Sequence, residues 1–462
     1  MSDPYEHKEK TTSGDLITEE GREASIPCSP SIHKTFSQRN EDEAQSVRSE
    51  LPRAPDGGLH AWLKVFGGFL LYMNIWGFTI SFGAFQAYYR GNMLSSSSSS
   101  AISWIGTAQA WLLILVGSLS GPLFDLGYFR SMLITGNVLI VIGLMMLSLC
   151  DQYWQIFLAQ GLCMGLGAGL LYVPSLALVG IWFDKRRAVA MGIVMSGIAV
   201  GGVAYIMTFD RLISTAGFPW TIRTLGFMAL FIALVSFPAL VSGSSMLARP
   251  RKARALFDRS AIKDKLFWIF TGATFLNFLG YNVPYFYIPT FARERLGSSD
   301  SMAFYMLVMS ISASFFGRLA SGVAAHHLGS IVTWMICSLL AAMMAFVWIG
   351  IETERAMIAF SVVWGFLSAS LVTLPSAAFA SICPDLSRLG TRLGMSWGVT
   401  SIASLTGPPI AGALLRRKEG RTDFLGAQLW SGACLLLTAA ATIERRAEGK
   451  LLYYETVGEA IW

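Results

Sequence analysis

From residue 62 onward, twelve apolar segments alternate with short polar connections. They cover approximately 62–89, 102–124, 131–150, 153–178, 188–209, 219–243, 266–291, 302–325, 330–351, 356–381, 392–415 and 424–443. Each reaches or approaches the twenty or so residues that a helix needs to cross a bilayer. The pattern predicts an all-α membrane protein with twelve transmembrane helices.

The polar stretches set the expected boundaries. Residues 1–55 carry few large apolar groups and read as a disordered N-terminal tail. No basic start followed by a short apolar core appears, so no cleavable signal peptide is expected and the first helix acts as the insertion signal. Residues 56–243 and 266–443 form two six-segment bodies, joined by a basic linker, 244–265, and followed by a charged tail, 444–462. The run Ser95–Ser100 reads as a flexible connector. Lys185, Arg186 and Arg187 after the fourth segment, and the linker's Arg249, Arg251, Lys252 and Arg254, place even-numbered connections in the cytoplasm by the positive-inside rule. Both termini are then cytoplasmic, in a multi-pass protein of the plasma membrane. One loop disagrees: Arg416, Arg417, Lys418 and Arg421 would lie outside.

Composition agrees with this class. Of 462 residues, 53% are hydrophobic and 14% charged, against about 25% charged in soluble domains. The net charge of +6 sets topology and meets anionic lipid, and does not indicate nucleic acid. Six cysteines are scattered, with no CxxC or Cys/His spacing, so no disulfide framework, metal or cofactor is expected. No nucleophile elbow or phosphate loop is present, and an enzyme is not expected. His326-His327 reads as a helix-end turn.

Within the eighth segment, Arg318 is the only charged residue from Met302 to Ala325. A cation at the bilayer centre costs roughly 2.5–3.5 kcal/mol even on insertion scales. Such a residue is tolerated when it faces a cavity or a ligand, and we expect an anionic ligand. The alternative is an arginine that snorkels to the headgroups.

The two bodies register on each other. Pro174 and Pro375, Gly121 and Gly322, and Gly83 and Pro284 are all 201 residues apart. A parallel repeat of six helices is the architecture of the major facilitator superfamily, with solute near the midplane between halves. The stretch Gly121-Pro-Leu-Phe-Asp125-Leu-Gly127-Tyr-Phe-Arg130 resembles that superfamily's cytoplasmic signature loop. Gly121, Asp125, Gly127 and Arg130, with the basic trio Lys185, Arg186 and Arg187, are read as gating residues. Asp125 would pair with a cation or cap a helix from the other half, and release it when the halves rock. In the second half its place is taken by His326.

Pro55-Asp56-Gly57-Gly58-x-x-Ala61-Trp62, and Trp182-Phe183-Asp184-Lys185-Arg186-Arg187-Ala188-Val189-Ala190-x-Gly192 ending in Ser196-Gly197, resemble the two signatures of the monocarboxylate porter family. Ser81 to Tyr89, Ile102 to Gly106 and Gly127 to Arg130 look like its fungal branch. The resemblance, over residues 55–443, implies a twelve-helix secondary carrier. It also implies that Arg318 matches the helix-eight arginine that binds a substrate carboxylate in animal members. The chain departs from those members at two points. Ser314 stands one turn before Arg318 where they have aspartate, and Phe78–Ser81 lacks their lysine. Those two groups serve proton coupling in the family, so a proton-coupled lactate-type cycle is not expected here, although carboxylates at helix ends, Asp125 and Asp210, remain.

The residues expected to line the cavity with Arg318 are Asn74, Phe85, Gln86, Tyr281, Asn282, Tyr285, Phe286 and Trp397. Pro284 and Pro289 are expected to break the seventh helix and free carbonyls near that face. This aromatic, weakly charged lining suits a bulky organic solute. The leading expectation is a carrier for a small, anionic organic solute, exporting a secondary metabolite by alternating access. Uptake of a monocarboxylate or a vitamin such as riboflavin is the alternative, and a sensor that binds without transport is the second class. Beyond solute and bilayer, no obligate protein partner is evident.

Overall fold

The computed structural model describes residues 57–183, 187–242, 256–380, 389–418 and 421–459. The expected tail, 1–55, lies outside them, as do Lys185 and Arg186; Arg187 begins a helix, but its side chain is outside the described set.

The helices are α1 Leu59–Met93, α2 Ser99–Asp125, α3 Phe129–Leu147 and α4 Tyr153–Trp182. A single helical stretch follows, Arg187–Val241, interrupted at Gly217 with φ 69° and ψ 173°. Those angles are closed to residues with a side chain, so glycine ends one helix and starts the next; α5 is 187–216 and α6 is 218–241. The second half holds α7 Lys265–Glu294, α8 Asp300–Leu328, α9 Ser330–Val347, α10 Glu354–Ala380, α11 Leu389–Ala413 and α12 Leu425–Glu459. Ten stretches are long and apolar enough to cross a membrane. One of them contains both α5 and α6, and α11 falls outside that set, which brings the helices of spanning length to twelve among the described residues. Where the hydropathy pattern ends the last helix near 443, its backbone stays helical to Glu459.

Local chemistry starts several helices. Ser98 accepts from the Ala101 amide at 3.1 Å and Ser299 from Met302 at 3.3 Å. Asp264 accepts from Leu266 and Phe267. Each supplies an acceptor for an amide that has no partner within its helix. Ser99 and Ser100 therefore belong to α2, and the serine run is only partly a connector.

The expectation that prolines break the seventh helix is overturned: α7 runs unbroken through Pro284 and Pro289. Each proline still frees the carbonyl four residues before it. Ser431 of α12 donates to the Gly280 oxygen at 2.9 Å. The Tyr285 oxygen faces Gly83 of α1 so closely that a Cβ there would collide with it. The freed carbonyls serve helix packing and not a cavity. Gly83 and Pro284, matched by the 201-residue repeat, thus lie at the crossing of α1 and α7.

Lys64 of α1 is fully buried. Its Nζ donates to the carbonyls of Ala239 at 3.2 Å and Leu240 at 2.8 Å and to that of Ser242, and stands 5.5 Å from the Trp182 ring centre. A cation placed on the last carbonyls of α6 satisfies groups that no helix satisfies internally and opposes the dipole's negative end.

Candidate functional site

Arg318 lies ten residues before the end of α8, about 15 Å at 1.5 Å per residue. The lipid-facing side of α8 is marked by exposed Phe316, Leu319 and Val323. Ser310, Ser314 and Ser321 are buried on the other side, and Arg318, four residues after Ser314, shares their face. Its Nη1 donates to Ser314 Oγ at 3.3 Å, and its Nε is buried without a partner. A buried donor left unmade costs about 1–3 kcal/mol, more for a charged group. No carboxylate pairs with Arg318 among the described residues.

Arg318 feels the phenols of Tyr281 and Tyr285 electrostatically. These two rings lie 5.5 Å apart, and Tyr285 Oη shares a 2.8 Å hydrogen bond with Ser368 of α10. Tyr281 also meets Phe278, which stands edge-on to Trp397 of α11 at 5.4 Å. Asn282 donates to Ser404 of α11 at 3.3 Å. Tyr281 and Tyr285 of α7 are thus the expected residues on the side of Arg318; Trp397 reaches Tyr281 only through Phe278, and Asn282 ties α7 to Ser404 of α11.

The other expected lining residues are placed elsewhere. Asn74 donates to the Ala229 carbonyl at 3.0 Å and accepts from Tyr205 at 2.7 Å, so both ends of its amide tie α1 to α5 and α6. Phe85 packs among Phe78, Tyr89 and Phe209. Phe286 meets Phe82 of α1 at 5.1 Å. Gln86 accepts from Ser103, whose hydroxyl shares a 2.6 Å hydrogen bond with Tyr287 of α7.

These last contacts belong to a closure where α1 and α7 end. Arg90 forms an ion pair with Glu294, and Thr422 donates to the same carboxylate. Arg293 donates to the Ala87 carbonyl at 2.9 Å and pairs with Asp300 at 2.7 Å. Ser100 of α2 donates to the Pro409 carbonyl of α11, and Ser301 of α8 to Asp210 of α5. Partners from both halves meet at this end, which is closed.

At the opposite end, Asp125 closes α2, Gly127 has φ 91° and Arg130 lies in the first turn of α3. Gly121 is buried in the last turns of α2. Here the linker helix, Arg259–Lys263, is held by Arg392 of α11. Arg392 donates to Asp258 at 2.9 Å, Asp264 at 2.9 Å and Ser260 at 3.0 Å. Hydrogen bonds from Ser260 and Arg392 hold the Asp258 carboxyl at about 2.

The family model that matches residues 65–354 is that of the Major Facilitator Superfamily. The chain belongs to the major facilitator superfamily. It is 36% identical over 429 residues to the MFS-type transporter dbaD of Emericella nidulans, covering 93% of this chain and 94% of that protein. It is 36% identical to the aspyridones efflux protein apdF of the same organism, over 86% of this chain and 80% of that one. With the fujikurins efflux protein of Gibberella fujikuroi it shares 31% identity, over 94% and 91% of the two chains. As a member of the superfamily, the protein is an all-α, multi-pass membrane transporter.

Sequence reasoning missed Lys64, Arg90, Glu294, Arg392 and their partners. Arg90 and Glu294 sit at the same ends of repeat-matched helices, a signal that the repeat offered. Among the described residues no cluster of His, Cys, Asp or Glu has metal-binding geometry.

Proposed function

We propose that this superfamily member exports a small organic solute bearing an anionic group, a secondary metabolite, by alternating access. The observation that carries the proposal is Arg318: a guanidinium well inside the bilayer span, on the inner face of α8, with Nε unpartnered and two tyrosines beside it. Leaving that cation without an anion is costly. A solute carboxylate or enolate supplies the missing charge and takes bidentate hydrogen bonds. Tyr281, Asn282, Tyr285 and Trp397 would line the contact. The names of the aspyridones and fujikurins efflux relatives support export of a metabolite.

The resemblance to monocarboxylate porters supports the same role for Arg318. In this reading residues 56–243 and 266–443 rock against one another about the α1–α7 crossing. The Arg90–Glu294 closure is the outer gate, the Asp125 turn is part of the inner one, and the termini are in the cytoplasm at the plasma membrane. With Ser314 in place of a carboxylate, proton coupling falls to other carboxylates: Asp125 at the end of α2, and Asp210, which lies within α5 and not at its end as the hydropathy pattern had it, and which bridges the halves through Ser301. The protein acts as a carrier and not as an enzyme, and needs no protein partner.

The test compares metabolites inside and outside cells with the intact chain, without it, and with Arg318→Gln. Retention inside the cell of an anionic compound, equally in the last two, is expected. Retention only of neutral or cationic compounds would overturn the anion reading, and specific binding in reconstituted vesicles without flux would indicate a sensor.

A further inference from the structure

Outside the Arg90–Glu294 pair lies a cavity of about 760 Å³, lined by Arg90, Arg293, Arg416, Glu294, Thr290 and the run Ser95–Ser99. Three arginines line it against one glutamate. Arg90 is paired with Glu294, and Arg293 with Asp300. Arg416 is exposed, and no ion-pair partner for it is described. It stands on β1, Arg416–Lys418, which pairs antiparallel with β2, Arg421–Asp423. That hairpin also carries Thr422, which bonds Glu294. It is the basic loop that contradicts the positive-inside rule.

Two further features favour an anion. The N-terminus of the 27-residue helix α2 opens here, since Ser98 and Ser99 line the cavity and begin that helix. Free amides and the helix dipole at such an end favour negative charge. Thr290, 2% exposed, also lines the cavity, and its Oγ1 is buried with no hydrogen-bond partner. A buried hydroxyl without an acceptor is a group waiting for one.

The geometry points to a second anion site at the outer mouth, distinct from Arg318, that receives an organic carboxylate between Arg416, Thr290 and the start of α2. The hairpin carries basic residues on the side where topology disfavours them because they draw the anion through the gate. The taking of this anion for the exported solute, and the placing of this mouth on the outer side of the plasma membrane, rest on the proposed function; the anion site itself does not.

The test reads labelling and not transport. Ser96, exposed on the cavity wall, is replaced by cysteine in the full-length chain. Intact cells are treated with sulfonate-bearing and trimethylammonium-bearing methanethiosulfonates, with the unsubstituted chain as background. The sulfonate should be favoured several-fold over its preference for a free cysteine peptide, and the preference should fall at 1 M salt and with Arg416→Gln. Sodium benzoate should slow sulfonate labelling saturably, more than equal sodium chloride, and Thr290→Val should weaken that protection. A preference no greater than the peptide's, or benzoate acting no better than chloride, would overturn the site. Arg318→Gln should leave labelling unchanged while abolishing export, so failure here and failure of the carrier reading are separable.

Discussion

The side chain of Lys64, in the first turns of α1, donates to the Leu240 carbonyl at the end of α6, 2.8 Å away and 176 residues later. With Ala239 and Ser242 it fills the Nζ donor set. Lys64→Met should therefore leave three helix-end carbonyls unsatisfied and remove a favourable charge at the helix terminus. The expected cost is about 2–4 kcal/mol. Thermal unfolding of the full chain in nanodiscs should show a clear drop, and Lys64→Arg a smaller one. Unchanged stability of Lys64→Met would rule out the capping role.

Arg90 and Glu294 join α1 to α7 across the halves, and both side chains are about a quarter exposed. A pair so placed contributes about 0.2–1 kcal/mol. Arg90→Gln should shift the balance toward opening at this end by up to about fivefold. That shift is read as faster modification of a cysteine placed at Ser103, which is buried behind the gate. The reversed pair, Arg90→Glu with Glu294→Arg, should recover slow labelling. If the double variant stays as reactive as the single ones, the residues do not act as a pair.

Most of the helical framework was legible because lipid demands it. An apolar run of spanning length has few other solutions, and its ends show as serines, aspartates and glycines. α11 was among the weaker cases, with α3 and α12, since Ser396, Thr400, Ser401 and Ser404 dilute its apolar character while buried against protein. What stayed hidden was pairing at long range. Lys64 looks like a flanking lysine until the end of α6 is brought to it. Asn74 and Arg318 look alike in sequence, each a polar group in an apolar run. Yet Asn74 has both amide ends engaged by its own half, while Arg318 keeps a buried donor free. Pro284 and Pro289 misled for a related reason. Proline removes one hydrogen bond for certain, but Ser431 and Gly83 absorb the consequence, and neither is near them in the chain.

The Arg392 clamp makes a statement about pH. Hydrogen bonds from Ser260 and Arg392 hold Asp258 at about 2, below its ordinary 3.8. A depressed carboxyl contributes stability above its unfolded value and loses it as pH falls through its folded one. The clamp is therefore complete from about pH 4 upward, and fades only between about pH 4 and 2. Any pH dependence of transport between 5 and 8 should survive in Asp258→Asn. A transport profile that flattens in that variant would place coupling at the linker and contradict this.

Ser314 offers the sharpest test of Arg318. Its Oγ is 3.3 Å from Nη1 and both lie on the inner face of α8. Ser314→Asp would set a carboxylate beside the guanidinium, where an opposite charge within about 4–6 Å favours the ionised acid. The internal anion then competes with the solute's. Apparent affinity should fall by roughly 10–100-fold at neutral pH, as for an effector with 1–3 kcal/mol of coupling. The arginine depresses the new carboxyl, so the pair persists above the ordinary Asp value and is lost only as pH falls below it. Read with a sulfonate analogue of the solute, which stays ionised in acid, affinity should then be restored at low pH in Ser314→Asp while the parent chain is unaffected over the same range. Ser314→Asn, similar in size and uncharged, should stay near the parent at every pH. If Asn and Asp weaken affinity equally, with no recovery in acid, crowding and not charge is responsible, and Arg318 is not the anion site.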